Sequence, residues 1–309
     1  MEGLFSLFGF PVTPYALCLA AAVTAGVILL LLRADKAERD TATVLAAVAI
    51  PSALICARLF WLLARYDFAF EVGIEGCLQL YNGGYALWGA AGGVALAALI
   101  TAKKYGTSVL KLTDMIAPSG ALCIAVCRFA EYFTGEGIGP EVRNEALWFF
   151  PVAVCNEWEE WHYAIFMLEG ITALIIMIVT LRGRKRTGDT TRLFLIIYSA
   201  AQVLLESLRQ DNCLKWLFVR VSQLTAVVVL LMLIVTAVIR RQRAHSSESR
   251  VPPRLVADIA VFFVLVGLCV ALEFAYDKAA FLDNRVGYAI MLCCCAGLGF
   301  VTADVSLRY

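Results

Sequence analysis

An all-α integral membrane protein is the fold class this sequence predicts, on three observations. Of its 309 residues, 61% are hydrophobic and 17% charged, a balance too apolar for a chain with a water-facing surface. Windows of about 20 apolar residues, the length that crosses a bilayer as a helix, recur along the whole chain. Lysine and arginine gather in every second connection between those windows. The formal net charge of +1 carries no footprint for nucleic acid.

The windows place spans near residues 14–32, 43–64, 84–102, 112–134, 163–181, 192–209, 216–239, 256–276 and 285–304. The N-terminal MEGLFSLFGFPVTPY is acidic rather than basic and runs into the first window without a cleavage site, so it reads as an uncleaved span and not a signal peptide. The first, third, fifth and seventh connections are basic, with Arg33, Lys36 and Arg39, then Lys103, Lys104 and Lys111, then Arg182 to Arg192, then Arg240 to Arg254. The long connection after the fourth span instead holds Glu136, Glu141, Glu145, Glu157, Glu159 and Glu160 against Arg143. The positive-inside rule therefore predicts the N-terminus outside and the C-terminus in the cytoplasm. The polar, proline-bearing RRQRAHSSESRVPPR predicts a cytoplasmic linker at 241–254, between a membrane domain at 1–240 and a two-helix extension at 255–309.

Within this frame the stretch Asp114–Gly139 stands out, because an apolar helix carries Arg128 and Glu131 and then stops at the glycine-rich TGEGIGP. Charges at membrane depth cost several kcal/mol and face a cavity or a partner. Arg128 and Glu131 are three apart and share a helix face, and Tyr198, Gln202, Glu206 and Arg209 follow one stripe of the sixth span. With the predicted directions, Tyr15, Arg58, Trp88, Arg128, Glu131 and Glu206 all fall in the outer half of the membrane. The expectation is a buried polar site open to the outer leaflet. Arg58, Arg128, Glu131 and Glu206 also sum to zero charge, and a structural ion-pair network stays open as the alternative. The glycines of NGGYALWGAAGG and TGEGIGP serve either tight helix packing or site shaping. Eleven cysteines show no metal-ligand spacing and read as small apolar packing residues. Glu273 and Asp304 lie near span ends, where snorkelling reaches water. His162 and His245 carry no signal of chemistry.

At these residues the chain resembles the prolipoprotein diacylglyceryl transferase family. Arg128, Phe133, Gly135, Glu136 and Gly139 follow the family's GRxGNFxNGExxG signature, with Asp114, Ala117 and Pro118 ahead of it. CARLFWLL at 56–63 is similar to GARLxYVL, GGYALWGAAGG at 83–93 to GGxxxHGGLxGG, and YSAAQVLLESLR at 198–209 to YGxxRFxxExxR. Tyr15 fits the first-helix tyrosine. Three positions depart from the family: Trp88 replaces a histidine, Glu131 an asparagine and Gln202 an arginine. HPxQLYE is reduced to YAIFMLE at 163–169, which keeps Glu169. Residues 251–309 have no counterpart.

The resemblance implies a seven-span bundle, here with two extra C-terminal helices, in the bacterial cytoplasmic membrane. It implies transfer of the diacylglyceryl group of phosphatidylglycerol to the lipobox cysteine of a prolipoprotein, with no cofactor and no metal. Arg128 would clamp the phosphate, supported by Arg58 or Arg209. Glu131 or Glu136 would take the thiol proton, and Tyr15 and Glu206 would complete the reacting set. Trp88, Gly135, Gly139, Tyr198 and Gln202 would line the substrate site. A diverged paralogue that transfers another lipid group or only binds, and a small-solute transporter, are the other readings.

Overall fold

A computed structural model describes residues 4–7, 10–79, 83–183, 186–211, 213–216, 219–244, 252–278 and 284–308. Its described α-helices are α1 (Pro14–Arg33), α2 (Arg39–Ala64), α3 (Tyr66–Leu78), α4 (Leu87–Tyr105), α5 (Val109–Ala130), α6 (Ile165–Leu181), α7 (Asp189–Leu208), α8 (Val221–Ala244), α9 (Pro253–Lys278) and α10 (Asn284–Arg308). Every expected window carries a helix. Seven are long and apolar enough to cross a membrane; α4 is diluted by glycines and two lysines, and α6 has 17 residues, about 26 Å of helix. The protein is an all-α integral membrane protein.

Short strands accompany the helices. β1 (Phe5–Leu7) pairs antiparallel with β2 (Phe10–Val12) ahead of α1. The acidic connection between α5 and α6 folds as a three-stranded antiparallel sheet of β3 (Ile138–Glu141), β4 (Ala153–Cys155) and β5 (Trp161–Ala164), with β5 in the centre. Asn156 closes its hairpin by accepting the Trp158 and Glu160 N–H groups, both at 2.9 Å. β6 (Lys215–Trp216) and β7 (Val219–Arg220) form a further pair before α8. The predicted starts at 163 and 216 therefore belong to strands, and α6 and α8 begin later. α3, with 13 residues, is too short to span and escapes a 20-residue window.

The chain divides into two compact units. One comprises Met1–Thr191 with Arg209–Val221, the other Arg192–Leu208 with Ser222–Tyr309. In the first unit small residues let helices meet at close range. An added Cβ at Gly89 would lie 2.9 Å from Ala57 Cα, and one at Gly93 2.7 Å from Ala53 Cα, so α4 lies directly on the α2 backbone. These two glycines, four apart, serve packing. Gly26 of α1 faces the side chain of Cys123 of α5, whose sulfur would lie 2.6 Å from an added Cβ. Leu45, Ala49, Ala97, Ala98, Ala102 and Leu112 form the buried core around these contacts.

Helix ends explain the polar residues that look misplaced in an apolar chain. Thr13 caps α1 by accepting the Ala16 N–H at 3.2 Å, with Pro14 at the first helical position. Asp114, inside α5, accepts the Gly188 N–H at 2.5 Å and the Thr191 N–H at 2.7 Å, and so holds the N-terminus of α7. α8 continues to Ala244 through Arg240, Arg241 and Arg243, because basic residues suit a helix C-terminus. The helix therefore enters the expected linker, whose residues 245–251, including His245, lie outside the described residues.

In the second unit, Asp304 of α10 pairs with Arg308 at 2.6 Å and Arg254 at 3.3 Å. Glu273 is not a simple snorkelling charge. Its Oε2 accepts the Ser207 hydroxyl of α7 at 2.7 Å.

Gly93→Leu should break the α2–α4 seam and lower stability by at least ~1–3 kcal/mol, the usual cost of overpacking. Gly92→Leu, whose added Cβ meets nothing within 4 Å, is the matched control and should leave the melting temperature in detergent nearly unchanged.

Candidate functional site

The first unit gathers five charged side chains at the end of α5. Arg128, in the last turn of that helix, contacts Glu131 Oε1 through Nη1 at 2.5 Å and Glu169 Oε2 through Nε at 2.9 Å. Glu131 follows at the helix end by the three-residue step that puts both groups on one face. Glu169 comes from the first turns of α6. Arg209, just beyond α7, approaches Glu169 at 3.5 Å and Glu131 at 3.9 Å, and its Nε and Nη2 fork onto both oxygens of Asp211 at 3.0 and 2.5 Å.

All five side chains are at most 13% exposed. Two guanidiniums against three carboxylates leave one formal negative charge. Glu131 Oε2 and Glu169 Oε1 are buried without a hydrogen-bond partner among the described residues.

The glycine turn after α5 builds one wall. Gly137 adopts a positive φ of 71°, and an added Cβ would sit 2.6 Å from Glu131 Oε2 and 2.7 Å from Phe166 Cβ. Its N–H donates to Asp211 Oδ2 at 2.8 Å and its carbonyl accepts from Phe166 N at 2.9 Å. Gln210 N donates to Ile138 O at 2.9 Å, and Arg220 Nη1 donates to Arg209 O at 2.9 Å. Burial alone would push the Asp211 carboxyl up, but the Arg209 fork and the Gly137 N–H outweigh it and hold it below the usual carboxylate value.

The sequence-predicted residues divide among several places. Arg128, Glu131 and Arg209 meet in the cluster. Tyr15 lies half-buried within electrostatic reach of Arg128, Glu131 and Glu136. The Glu136 side chain and Gly135 are exposed, while Gly139 is buried in β3 and its carbonyl faces His162 Nδ1 at 3.1 Å.

Arg58 is elsewhere in this unit and is 4% exposed. Its guanidinium donates to the carbonyls of Gly83, Gly84 (3.1 Å), Cys77 (3.3 Å), Gly76 and Gln79 (both 3.4 Å), and faces the Trp61 ring at 5.1 Å. It organises the connection between α3 and α4. Trp88 is half-buried at the start of α4.

Tyr198, Gln202 and Glu206 belong to the second unit, where Gln202 Nε2 donates to Glu206 Oε2 at 2.9 Å and both are 2% exposed.

Sequence reasoning missed Glu169, Asp211 and Gly137 as members of the cluster. Glu169 had a signal, being the one carboxylate in the otherwise apolar α6. Asp211 had none, since it sits in a connection with no periodicity.

Asp211→Asn should cost about 3 kcal/mol near neutral pH, because it strips a buried guanidinium of its fork. A carboxylate held low contributes its full stability above its unfolded value of about 3.9 and loses it as pH falls through the lower folded value. The gap in melting temperature between variant and wild type should therefore be constant near neutrality and close below about pH 4.

The family model described as prolipoprotein diacylglyceryl transferase matches residues 2–239. A Listeria innocua protein named phosphatidylglycerol–prolipoprotein diacylglyceryl transferase is 26% identical over 254 residues, 79% of this chain and 89% of its own. Proteins of the same name from Bacillus licheniformis and Bacillus velezensis are 27% identical over 202 residues and 24% over 254, covering 63% and 79% of this chain and 74% and 93% of theirs. The matched region contains the whole charged cluster, and with more than half the chain aligned to one family model, the chain belongs to the prolipoprotein diacylglyceryl transferase family.

Proposed function

We propose that this chain transfers the diacylglyceryl group of phosphatidylglycerol to the lipobox cysteine of a prolipoprotein, in the bacterial cytoplasmic membrane. The N-terminus lies outside and the C-terminus inside, with residues 1–240 as the transferase domain and 255–309 as an extension after the linker. The reading rests on the family match over residues 2–239. The buried cluster around Arg128 supports it.

In the reaction the thiol sulfur attacks the glyceryl carbon esterified to phosphate. The carbon–oxygen bond to phosphate breaks, glycerol phosphate leaves and a thioether remains. The leaving phosphate gains negative charge, which Arg128 and Arg209 are placed to stabilise, and a preorganised donor of this kind contributes about 10²–10³ in rate. The thiol must lose its proton to attack. Glu131 Oε2, buried and without a hydrogen-bond partner among the described residues, is the acceptor we assign, and the proton then passes to the departing phosphate. Glu169 holds Arg128 from the other side. Tyr15 stands beside the pair, and Gln202 and Glu206 supply a second buried polar group on α7.

A second reading, a paralogue that binds lipid or lipoprotein without transfer, draws support from Arg128 being already engaged by two carboxylates.

Expression in a bacterium depleted of its own transferase, with a lipobox peptide and phosphatidylglycerol vesicles as the purified assay, tests both. Transfer is read as the mass of one diacylglyceryl group on the cysteine. Arg128→Ala and Glu131→Gln should each lower the rate by about 10²-fold or more while the protein still accumulates in the membrane. A well-expressed wild type that neither rescues nor transfers would favour the binding paralogue, and substrate-coupled uptake into vesicles without transfer would make it a transporter.

A further inference from the structure

We propose that Glu273, on a helix beyond the family match, is a positioning residue for the polar stripe of α7. This rests on the proposed function, because it assigns the stripe a part in the reaction.

Within the second unit α7 carries an unusual load for a span. Ser199, Gln202, Glu206 and Ser207 are each at most 7% exposed. A helix bearing this many polar groups at membrane depth must be held in one rotation about its axis, since a turn of some tens of degrees would present them to lipid. Among the described residues, three neighbours bear on that rotation. Gln223 of α8 donates to Val203 O at 3.1 Å. Gly299 brings α10 close enough that an added Cβ would lie 3.3 Å from Ala200 Cβ. Glu273 of α9 accepts the Ser207 hydroxyl at 2.7 Å, the residue next to Glu206.

Two of these three neighbours lie beyond residue 239, where the family match ends. The last two helices are thus built onto the helix that carries Gln202 and Glu206. The Ser207–Glu273 bond is a polar contact between them and the end that carries Glu206. A charged acceptor makes this a strong and directional bond in a low-dielectric setting. Losing it would free the last turns of α7 and misplace Glu206.

The test uses the full chain in phosphatidylglycerol vesicles with the lipobox peptide. Glu273→Leu and Ser207→Ala should each lower kcat about tenfold or more with KM for the peptide nearly unchanged, and the double variant should lose no more than either alone. Glu273→Gln, which keeps an acceptor oxygen, should recover most of the rate. Hydrogen exchange of amides 203–208 should quicken in Glu273→Leu and stay slow in Glu273→Gln, while α5 is unchanged.

An unaltered kcat in a folded Glu273→Leu protein overturns the proposal, as does equal loss in both Glu273 variants. If the wild type shows no transfer, the proposed function fails. Exchange at 203–208 then decides whether Glu273 holds the helix: faster exchange upholds the contact, and unchanged exchange overturns it.

Discussion

The guanidinium of Arg128, shared between Glu131 and Glu169, is the interaction on which the first unit depends. An arginine this deeply enclosed carries a desolvation cost of several kcal/mol that only close, well-aligned carboxylates offset. Each partner arrives on a different element: Glu131 at the end of α5, Glu169 from α6, and Arg209 with Asp211 from the segment after α7. The ion pairs therefore tie three parts of the chain, far apart in sequence, into one end of the unit. Gly137 is where the tie closes, because its backbone touches Asp211 and Phe166 and only a missing Cβ leaves room for the Glu131 carboxylate. Truncating either arginine leaves carboxylates buried and uncompensated, which is costlier than the pair is worth.

The same balance constrains the proposed chemistry. An arginine free of carboxylates would be the simplest phosphate clamp. Arg128 is already engaged, so an incoming phosphate must either share the guanidinium or displace a carboxylate from it. Sharing raises the negative charge of a group of five that already stands at one. Taking up a proton on Glu131 would cancel that rise, and the proposed reaction supplies one from the thiol. The transfer moves one negative charge from the carboxylate onto the attacking sulfur and leaves the total of the site unchanged, so the proposed reaction relies on the two guanidiniums to hold it.

Much of this was legible in the sequence. The apolar windows each carry a helix, seven of them long and apolar enough to span among the described residues, and the three-residue spacing of Arg128 and Glu131 put them on one helix face, where the structure has them in contact. The glycines of NGGYALWGAAGG and TGEGIGP were ambiguous between packing and site shaping. The structure divides them, with Gly89 and Gly93 packing α4 on α2 and Gly137 shaping the cluster. Windows of 20 residues could not see α3 or the small sheet, because short amphipathic elements bury too little to leave a hydropathy signal. Arg58 shows the limit of depth arguments. Its position resembled that of Arg128, yet its partners are backbone carbonyls of the 76–84 segment, and carbonyls have no signature in sequence.

The substitutions against the family motif also acquire a physical reading. Trp88 removes the histidine that could have taken a proton, and Glu131 adds a carboxylate where the motif has a neutral amide. Taken singly, each change would injure the site: the first deletes a base, the second puts an extra charge into a buried cluster. In the proposed reaction they together move the proton acceptor from α4 to the end of α5, next to a guanidinium that pairs with its charged form. An asparagine at 131 could hydrogen-bond Arg128 but could neither neutralise it nor accept a proton. The glutamate neutralises Arg128 when charged and is the proton acceptor of the proposed reaction, so on that proposal a departure from the motif supplies the base that Trp88 cannot.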